Sequence, residues 1–364
     1  MWHCGAVDRK VRATDVAARA QVSRTAVSFV LNGRGDGNVA PEAQERIRAA
    51  ARELGYQPDR VARSLRLGRT HVIGFVTDAI ATSPFAGRIL GAAMDRAQES
   101  GYVLVAFDSE GHPDLEQAAI DELTQRSVDG LVYASMGLRE LTSLPQTDLP
   151  MTLANCYELA PTRDAVIPDD GGGAGAAARH LLDLGHRRIT MLTGPGPGKG
   201  GNISGPLRSK GFRAALARAG VPTSDSPVVV AGWTIDDGYR AAMHVLCGPD
   251  GVLVEPARRP TAVFAVTDRV ATGVLLAASR LGLDIPRDLS VVGFDDQEQL
   301  AAHVVPPLTT IALPHREMGR RATELLLDRL AGRPVTNAPV VTRLSCPLVV
   351  RGSTAPPDSG GRQA

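Results

Sequence analysis

Residues 12–32 read RATDVAARAQVSRTAVSFVLN, and this stretch decides the architecture of the N-terminal part of the chain. Ala13, Val16, Ala17 and Ala20 recur at helical spacing and predict a short first helix with one small apolar stripe. Gln21 and Val22 interrupt it. Ser23 is placed to cap a second helix, because its hydroxyl can accept a backbone N–H left over in the first turn. Val27, Val30 and Leu31 form the inner face of that helix, and Gly33 can close it in the left-handed conformation. Two short helices joined by a tight turn make a helix-turn-helix, whose second helix enters the major groove of DNA.

Outward from this stretch, Pro41 opens a third helix, Ile47, Ala50, Ala51 and Leu54 give its apolar face, and Gly55 ends it. On the second helix Arg24, Thr25, Ser28 and Phe29 face away from the apolar stripe. An arginine there can donate two hydrogen bonds to a guanine edge, whereas Phe29 can offer only apolar contact, for instance to a thymine methyl. Ser23, Ser28 and Asn32 are short polar groups suited to phosphate, which sets register without reading sequence.

Charge supports the same division. Residues 1–69 carry 13 Lys+Arg against 7 Asp+Glu, and residues 70–364 carry 27 against 32, so a net +1 hides a basic head on a mildly acidic body. Only the head is suited to a polyanion.

From Thr70 the texture changes to short β-rich runs alternating with amphipathic helical stretches: HVIGFVTD, 84–100, YVLVAFDS, 113–126, DGLVYASM, then AVIPD, 171–184, RRITMLTG, 207–219, PVVVAGW, 236–247, TAVFAVTD, 269–282 and LSVVGFDD. Nearly continuous apolar strands alternating with helices predict parallel sheets covered on both faces. The number of units exceeds one compact sheet, so two doubly wound subdomains are expected. Ligands of such sheets bind beyond the strand C-termini, and two facing subdomains turn that crevice into a cleft. Asn155 ends TLAN, Thr267 and Asp268 end AVFAVTD, and Asp295 and Asp296 end VVGFDD, polar residues where a cleft needs them.

TDVAARAQVSRTAVSFVLNG, followed by VAPEAQERIRAAARELGYQPDRVARSLRLGRT, resembles the DNA-binding head of the LacI/GalR family of regulators. The likeness is nearly unbroken from Thr14 to Thr70. It departs at Gln21, where glycine is usual and a left-handed residue is strained, and at Phe29, a reading position often held by arginine. Residues 59–66 are similar to the family's hinge helix, with Arg60 and Ala62 facing DNA and Leu65 wedged into the minor groove at the operator centre. The wedge costs a few kcal/mol, repaid by contacts along the bent duplex. An ordinary linker is the alternative, and Leu65 standing alone among arginines favours the wedge.

The body is similar to the family's effector domain, itself related to periplasmic sugar-binding proteins, through HLLDLGHRRI, PPLTTI and PLVVRGS. The resemblance implies an all-α helix-turn-helix head followed by two doubly wound parallel-sheet α/β subdomains. Carried over by position, it places Ser83, Phe85, Asn155, Arg208, Trp233, Thr267 and Asp295 around a small ligand. The residue types suit a polyhydroxylated one: Asp accepts paired hydroxyls, Arg and Asn donate, and aromatic rings cover an apolar face. Taken singly, each is also a plausible strand-end cap or turn residue. Thr267 stands where Asn is frequent, so the effector cannot be borrowed from a relative.

The expected boundaries are a disordered leader (1–11), the head (12–57), the hinge (58–69), the core (70–352) and a disordered Pro/Gly/Ser-rich tail (353–364). Within the core, one subdomain takes about 70–167 and 313–337, the other about 168–312 and 338–352. The implied function is repression of transcription by a homodimer on palindromic operator DNA, controlled by a sugar-like effector. Without heptads in the tail, no coiled-coil tetramer is expected.

Other classes fit poorly. GPGPGKGG at 194–201 fails the phosphate-loop pattern twice, at Thr193 and Gly200. GGGAGAAA at 171–178 lacks the acidic residue a dinucleotide fold needs about 20 residues on. No serine sits in a nucleophile elbow, and His180, His186 and His303 are expected at helix ends or on the surface. No cofactor and no metal are implied. Cys4, Cys156, Cys247 and Cys346 lie far apart and read as buried small hydrophobes of a reducing cytoplasm. No apolar run reaches the roughly 20 residues that span a bilayer. A solute-binding protein with a vestigial head, or a regulator that answers to no small ligand, are the rival readings.

Overall fold

The computed structural model describes residues 11–56, 68–79, 83, 87–197, 201–333 and 338–358. The chain divides into two units, Met1–Thr70 and His71–Ala364. The hinge positions Arg60, Ala62 and Leu65, together with Phe85, Cys4 and residues 359–364, lie outside the described residues.

In the first unit, α1 (Ala13–Ala20), α2 (Arg24–Leu31) and α3 (Pro41–Glu53) enclose a small core of Val16, Ala17, Ala20, Val27, Val30, Ile47, Ala50 and Ala51. Leu31 and Leu54 are half-buried at its rim. Gln21 ends α1 in the left-handed region, at φ 56° and ψ 50°. Ser23 accepts the Ala26 N–H at 3.1 Å and so caps α2. One organiser escaped the periodicity. Gln44 is buried in α3, donates to Val39 O and Asp36 Oδ1, and accepts from Arg48 at 2.9 Å. It fixes the loop that returns from α2.

The second unit contains two six-stranded sheets. The first runs β11-β5-β4-β3-β1-β2, from β1 (Val72–Thr77), β2 (Val103–Asp108), β3 (Gly130–Leu141), β4 (Met151–Glu158), β5 (Ala165–Pro168) and β11 (Val341–Leu344). Helices α4 (Gly87–Glu99) and α10 (His315–Leu330) cover one face, and α5 (Pro113–Gln125) covers the other. The second runs β12-β10-β9-β8-β6-β7, from β6 (Ile189–Thr193), β7 (Val228–Val230), β8 (Ala262–Ala265), β9 (Ser290–Asp295), β10 (Thr309–Ala312) and β12 (Leu348–Val349). Its faces are covered by α6 (Asp170–Asp183) with α7 (Ser204–Arg218), and by α8 (Ile235–Leu246) with α9 (Asp268–Arg280). All pairings are parallel except β10 with β12. The chain crosses between lobes after β5, after β10 and after β11, which puts every crossing strand among the outer two on one side of its sheet.

The glycine-rich run after β5 is a packing device. A Cβ on Gly211 of α7 would fall onto the Gly171 carbonyl of α6, so these residues let two helix backbones touch.

Three expectations need correction. The return to the second lobe comes later than residue 338, because Val341–Leu344 pairs in parallel with Ala165–Pro168. Buried Asp164 recruits it by accepting the Val340 N–H at 2.9 Å, while also holding Arg329 at 2.7 Å. Nor is the tail loose from residue 353. Ser353 is fully buried, its Oγ donating to Val291 O and accepting the Thr309 N–H, and Ala355 O accepts from Ser290 Oγ. Serine and threonine in a Pro-rich segment here satisfy the backbone of a neighbouring sheet. His186 lies at a helix end as expected, its N–H donating to Leu181 O at 3.0 Å, and its ring is buried, joined to Thr261 Oγ1 and Ala355 O at 2.9 Å each. Helix α7 also starts three residues before the expected 207, since Gly205-Pro206 is tolerated within a first turn.

Candidate functional site

The head presents α2 outward. Arg24 and Thr25 are exposed in its first turn, with Ser23 beside them at the cap; Ser28 and Phe29 are half-buried one turn on. Asn32 is turned back onto its own helix, its Nδ2 donating to Ser28 O at 2.6 Å and Ser28 Oγ at 3.3 Å. Arg24, Thr25, Ser28 and Phe29 therefore form the accessible edge of α2, while Asn32 serves the helix end.

In the core, the strongest charged constellation lies at the C-terminal end of β9. Arg208 reaches it from α7 with its side chain almost wholly buried. Its Nε donates to Asp170 Oδ1 at 2.6 Å, and Nη1 to Val266 O at 2.5 Å and Asp295 Oδ1 at 3.5 Å. The guanidinium stacks 3.6 Å over the Phe294 ring, and Phe294 is itself packed against Phe264. Stacking, a carbonyl and a carboxylate fix the orientation of Arg208. Asp295 sits at positive φ, 113°.

A second carboxylate backs the first. Asp268, the first residue of α9, accepts from Thr310 Oγ1 at 2.5 Å and from the Gln297 N–H at 2.7 Å, while Gln297 Nε2 reaches Asp295 Oδ2 at 3.4 Å. Two buried carboxylates, Asp170 and Asp295, thus contact the guanidinium, and a third, Asp268, stands behind Asp295. Burial raises the pKa of Asp295 to about 7, with Arg208 pulling the other way. Burial, then the neighbouring Asp295, pushes Asp268 well above the carboxylate range. Asp170 is raised by burial too, and its Oδ2 has no hydrogen-bond partner. His315, at the start of α10, is buried near Arg88 and Arg208; burial first and those cations second lower its pKa to about 3, so it is neutral.

Of the residues expected around the ligand, Arg208 and Asp295 are in direct contact. Thr267 follows the carbonyl that binds Arg208, and its Oγ1 caps α9 by accepting the Val270 N–H at 3.2 Å. Trp233 is half-buried with its indole over Gly194, where any side chain would fall inside the ring. Asn155 takes φ 57° and spends Nδ2 on the carbonyls of Ser135 and Met136 in the first lobe. Ser83 is half-buried. Asp170, Asp268 as a partner of Asp295, and His315 were not singled out by the sequence. Asp268 was visible as a strand-end acid, but the adjacency of Asp170 to Arg208 spans 38 positions and leaves no local pattern.

A helix-turn-helix unit preceding two facing parallel-sheet lobes, with a charged constellation at the strand ends, defines a DNA-binding protein with a ligand-type core. Residues 14–59 match the bacterial regulatory proteins of the lacI family, and residues 178–354 match the periplasmic binding protein-like domain. The ribose operon repressor of Escherichia coli (strain K12) is 34% identical over 319 residues, covering 87% of this chain and 92% of that protein. The HTH-type transcriptional repressor PurR of Escherichia coli is 34% identical over 323 residues, covering 88% and 90%. Among solved structures, the lac repressor dimer bound to operator and the anti-inducer ONPF aligns with a TM-score of 0.76 at 28% identity, over 95% of this chain and all of the other. The chain belongs to the lacI family of bacterial regulatory proteins.

Proposed function

We propose that the protein is a transcriptional repressor, not an enzyme, that binds palindromic operator DNA as a homodimer in the cytoplasm and is controlled by a neutral sugar-like effector in the cleft. The observation that carries the effector half is the Arg208–Asp295 pair, fixed from behind by Asp170 and Phe294. A rigid donor beside a buried acceptor matches vicinal hydroxyls, and a site built for hydroxyls rejects analogues lacking them. Ser83, Phe85, Asn155, Trp233 and Thr267 complete the proposed lining.

In the head, Arg24, Thr25, Ser28 and Phe29 read bases, and Ser23 contacts phosphate; Asn32 joins it on releasing Ser28. Arg60, Ala62 and Leu65 act at the operator centre. The homodimer is supported by an apolar stripe. Val103, Val105 and Phe107 alternate along edge strand β2, are 37–50% exposed, and lie on the sheet face covered by α5 alone. An exposed apolar edge of this kind calls for a partner surface, and the related lac repressor structure is a dimer.

The test is selection of duplexes from a random pool by the full-length protein, followed by titration of the selected site with D-ribose, cellobiose, hypoxanthine and guanine. A palindromic consensus whose affinity changes with one of the two sugars is expected, and a response to a purine base alone overturns the sugar-like reading. Selection without a palindrome overturns the operator reading, and a palindrome indifferent to every compound overturns the effector reading.

No helix among the described residues is long and apolar enough to cross a membrane.

A further inference from the structure

The crossing strands β5, β10, β11 and β12 are the outer two strands on one side of each sheet, so the lobes are tethered covalently on that side only. A second connection exists away from it. Strand β3, fourth in its sheet counting from the tethered edge, runs on past a register shift between Ala134 and Arg139. Its continuation meets the segment leading into α7, which follows β6, fifth in the other sheet. There Arg139 and Asn202 form an antiparallel bridge. Ile203 N–H donates to Leu138 O at 2.8 Å, and Leu138 N–H donates to Ser204 Oγ at 3.3 Å.

Two features make this contact a built one. Gly137 lies so close to the other lobe that a Cβ there would stand 2.5 Å from Asn202 Nδ2 and 2.7 Å from Asn202 Cγ. Asn202 is not free to swing away, since its Oδ1 accepts the Ser204 N–H at 2.9 Å. On the first-lobe side, Asp78 accepts the Met136 N–H at 2.8 Å and pairs with Arg139 at 3.1 Å, which holds the β3 continuation outward.

We propose that Gly137–Arg139 and Asn202–Ser204 form a backbone clasp between the lobes, which must part for the cleft to open and so governs access to the effector site. The regulatory half rests on the cleft being that site; the clasp itself does not. Rotation of the lobes about the tethered edge separates the far side most, and the bridge there is made only when the lobes are together. Opening therefore exchanges these hydrogen bonds for water, and closing restores them. A ligand contacting both lobes biases the clasp by its differential affinity for the two arrangements.

Ile203 supplies a clean reporter. It is the N-cap of α7, so its N–H precedes the helix and has no intrahelical acceptor. Its hydrogen bond to Leu138 O in the other lobe therefore protects it. Hydrogen exchange of the full chain, read at Ile203, should be slow in the wild type. G137V should speed it on the order of tenfold, the equivalent of losing about 1.4 kcal/mol, with amides of β6 and β9 unchanged. G137A/N202A removes the clashing side chain and should exchange more slowly than G137A. Free exchange at Ile203 in the wild type, or G137V exchanging as the wild type does, overturns the clasp.

The regulatory half is read separately with R139C/N202C. These residues face each other across an antiparallel bridge, a spacing compatible with a disulfide. Oxidation should change affinity for the selected palindrome relative to the reduced form, with no effector present. Equal affinities overturn the coupling while leaving the effector reading to its own titration.

Discussion

Arg208 Nε lies 2.6 Å from Asp170 Oδ1, joining α7 to α6 through a pair whose side chains are almost entirely out of water. Such a pair is not automatically stabilising, because the cost of desolvating both charges rivals their attraction. Its value here is geometric. With Nε committed to Asp170, the plane of the guanidinium is set, and the remaining edge faces Asp295. The orphaned Oδ2 of Asp170 marks a cost of this arrangement.

Asp170→Asn should therefore be expensive even though it preserves shape. It leaves the buried guanidinium with Asp295, at 3.5 Å, as its remaining charged partner, and breaking a buried pair from one side costs about 3–5 kcal/mol. Urea denaturation of the full chain, following the core transition, measures this. An unchanged midpoint would mean that Arg208 is solvated in solution.

The surplus of carboxylates makes stability depend on pH. Asp295 is raised to about 7 and Asp268 well above its ordinary value, so the folded core keeps protons that the unfolded chain has released. Their contribution is complete below the ordinary carboxylate pKa and is lost as pH rises towards and through 7. Stability should fall with a slope approaching 1.4 kcal/mol per pH unit for each retained proton. Asp268→Asn removes the like-charged neighbour, so the slope between pH 5 and 7 should shrink; thermal melts across that range decide it.

The alternation of strands and helices was legible because parallel strands buried on both faces, such as Ala262–Ala265, read as unbroken apolar runs. Ser23 and Gln21 were legible because caps and turns are local. Asp295 was legible as a polar residue at a strand end, Arg208 was reached only through resemblance, and their partner Asp170 was not reached at all, because its contact with Arg208 exists only after two helices pack. The misplacement of 338–345 has the same origin: nothing in VTRL states which sheet edge it will join, and that depends on Asp164, far earlier in the chain. The tail failed for a different reason, since composition measures the want of a core and not the supply of hydroxyls to a waiting backbone.

Gln21 carries a left-handed backbone at a position where a Cβ is unfavourable, at a cost of about 1 kcal/mol. Gln21→Gly should stabilise the head, less the extra entropy glycine gains when unfolded, for a net gain of up to about 0.5 kcal/mol. The side chain is exposed, so no contact is lost. Denaturation followed in the head of the full chain tests it; a loss of stability would mean that the turn relaxes out of this conformation in solution.

Asp295→Ala should abolish the response of the selected operator to its effector while leaving ligand-free DNA binding intact. The carboxylate is the acceptor facing Arg208, and the head is a separate unit. A retained response in the titration would displace the effector site from the end of β9.

Arg24→Ala separates reading from mere attraction. Arg24 is exposed in the first turn of a helix whose cap, Ser23, is made by a neighbouring residue, so the substitution should not unfold the helix. If the guanidinium donates twice to a guanine edge, its loss should cost about 1–3 kcal/mol on the selected palindrome and relax preference at one position of each half-site. A phosphate contact would behave differently, weakening all sequences alike and reducing the salt dependence by about one counterion. Comparing the consensus selected by the variant with that of the wild type, at two salt concentrations, distinguishes the two. An unchanged consensus with a shallower salt slope would move base reading away from Arg24, to the neighbouring Thr25, Ser28 and Phe29.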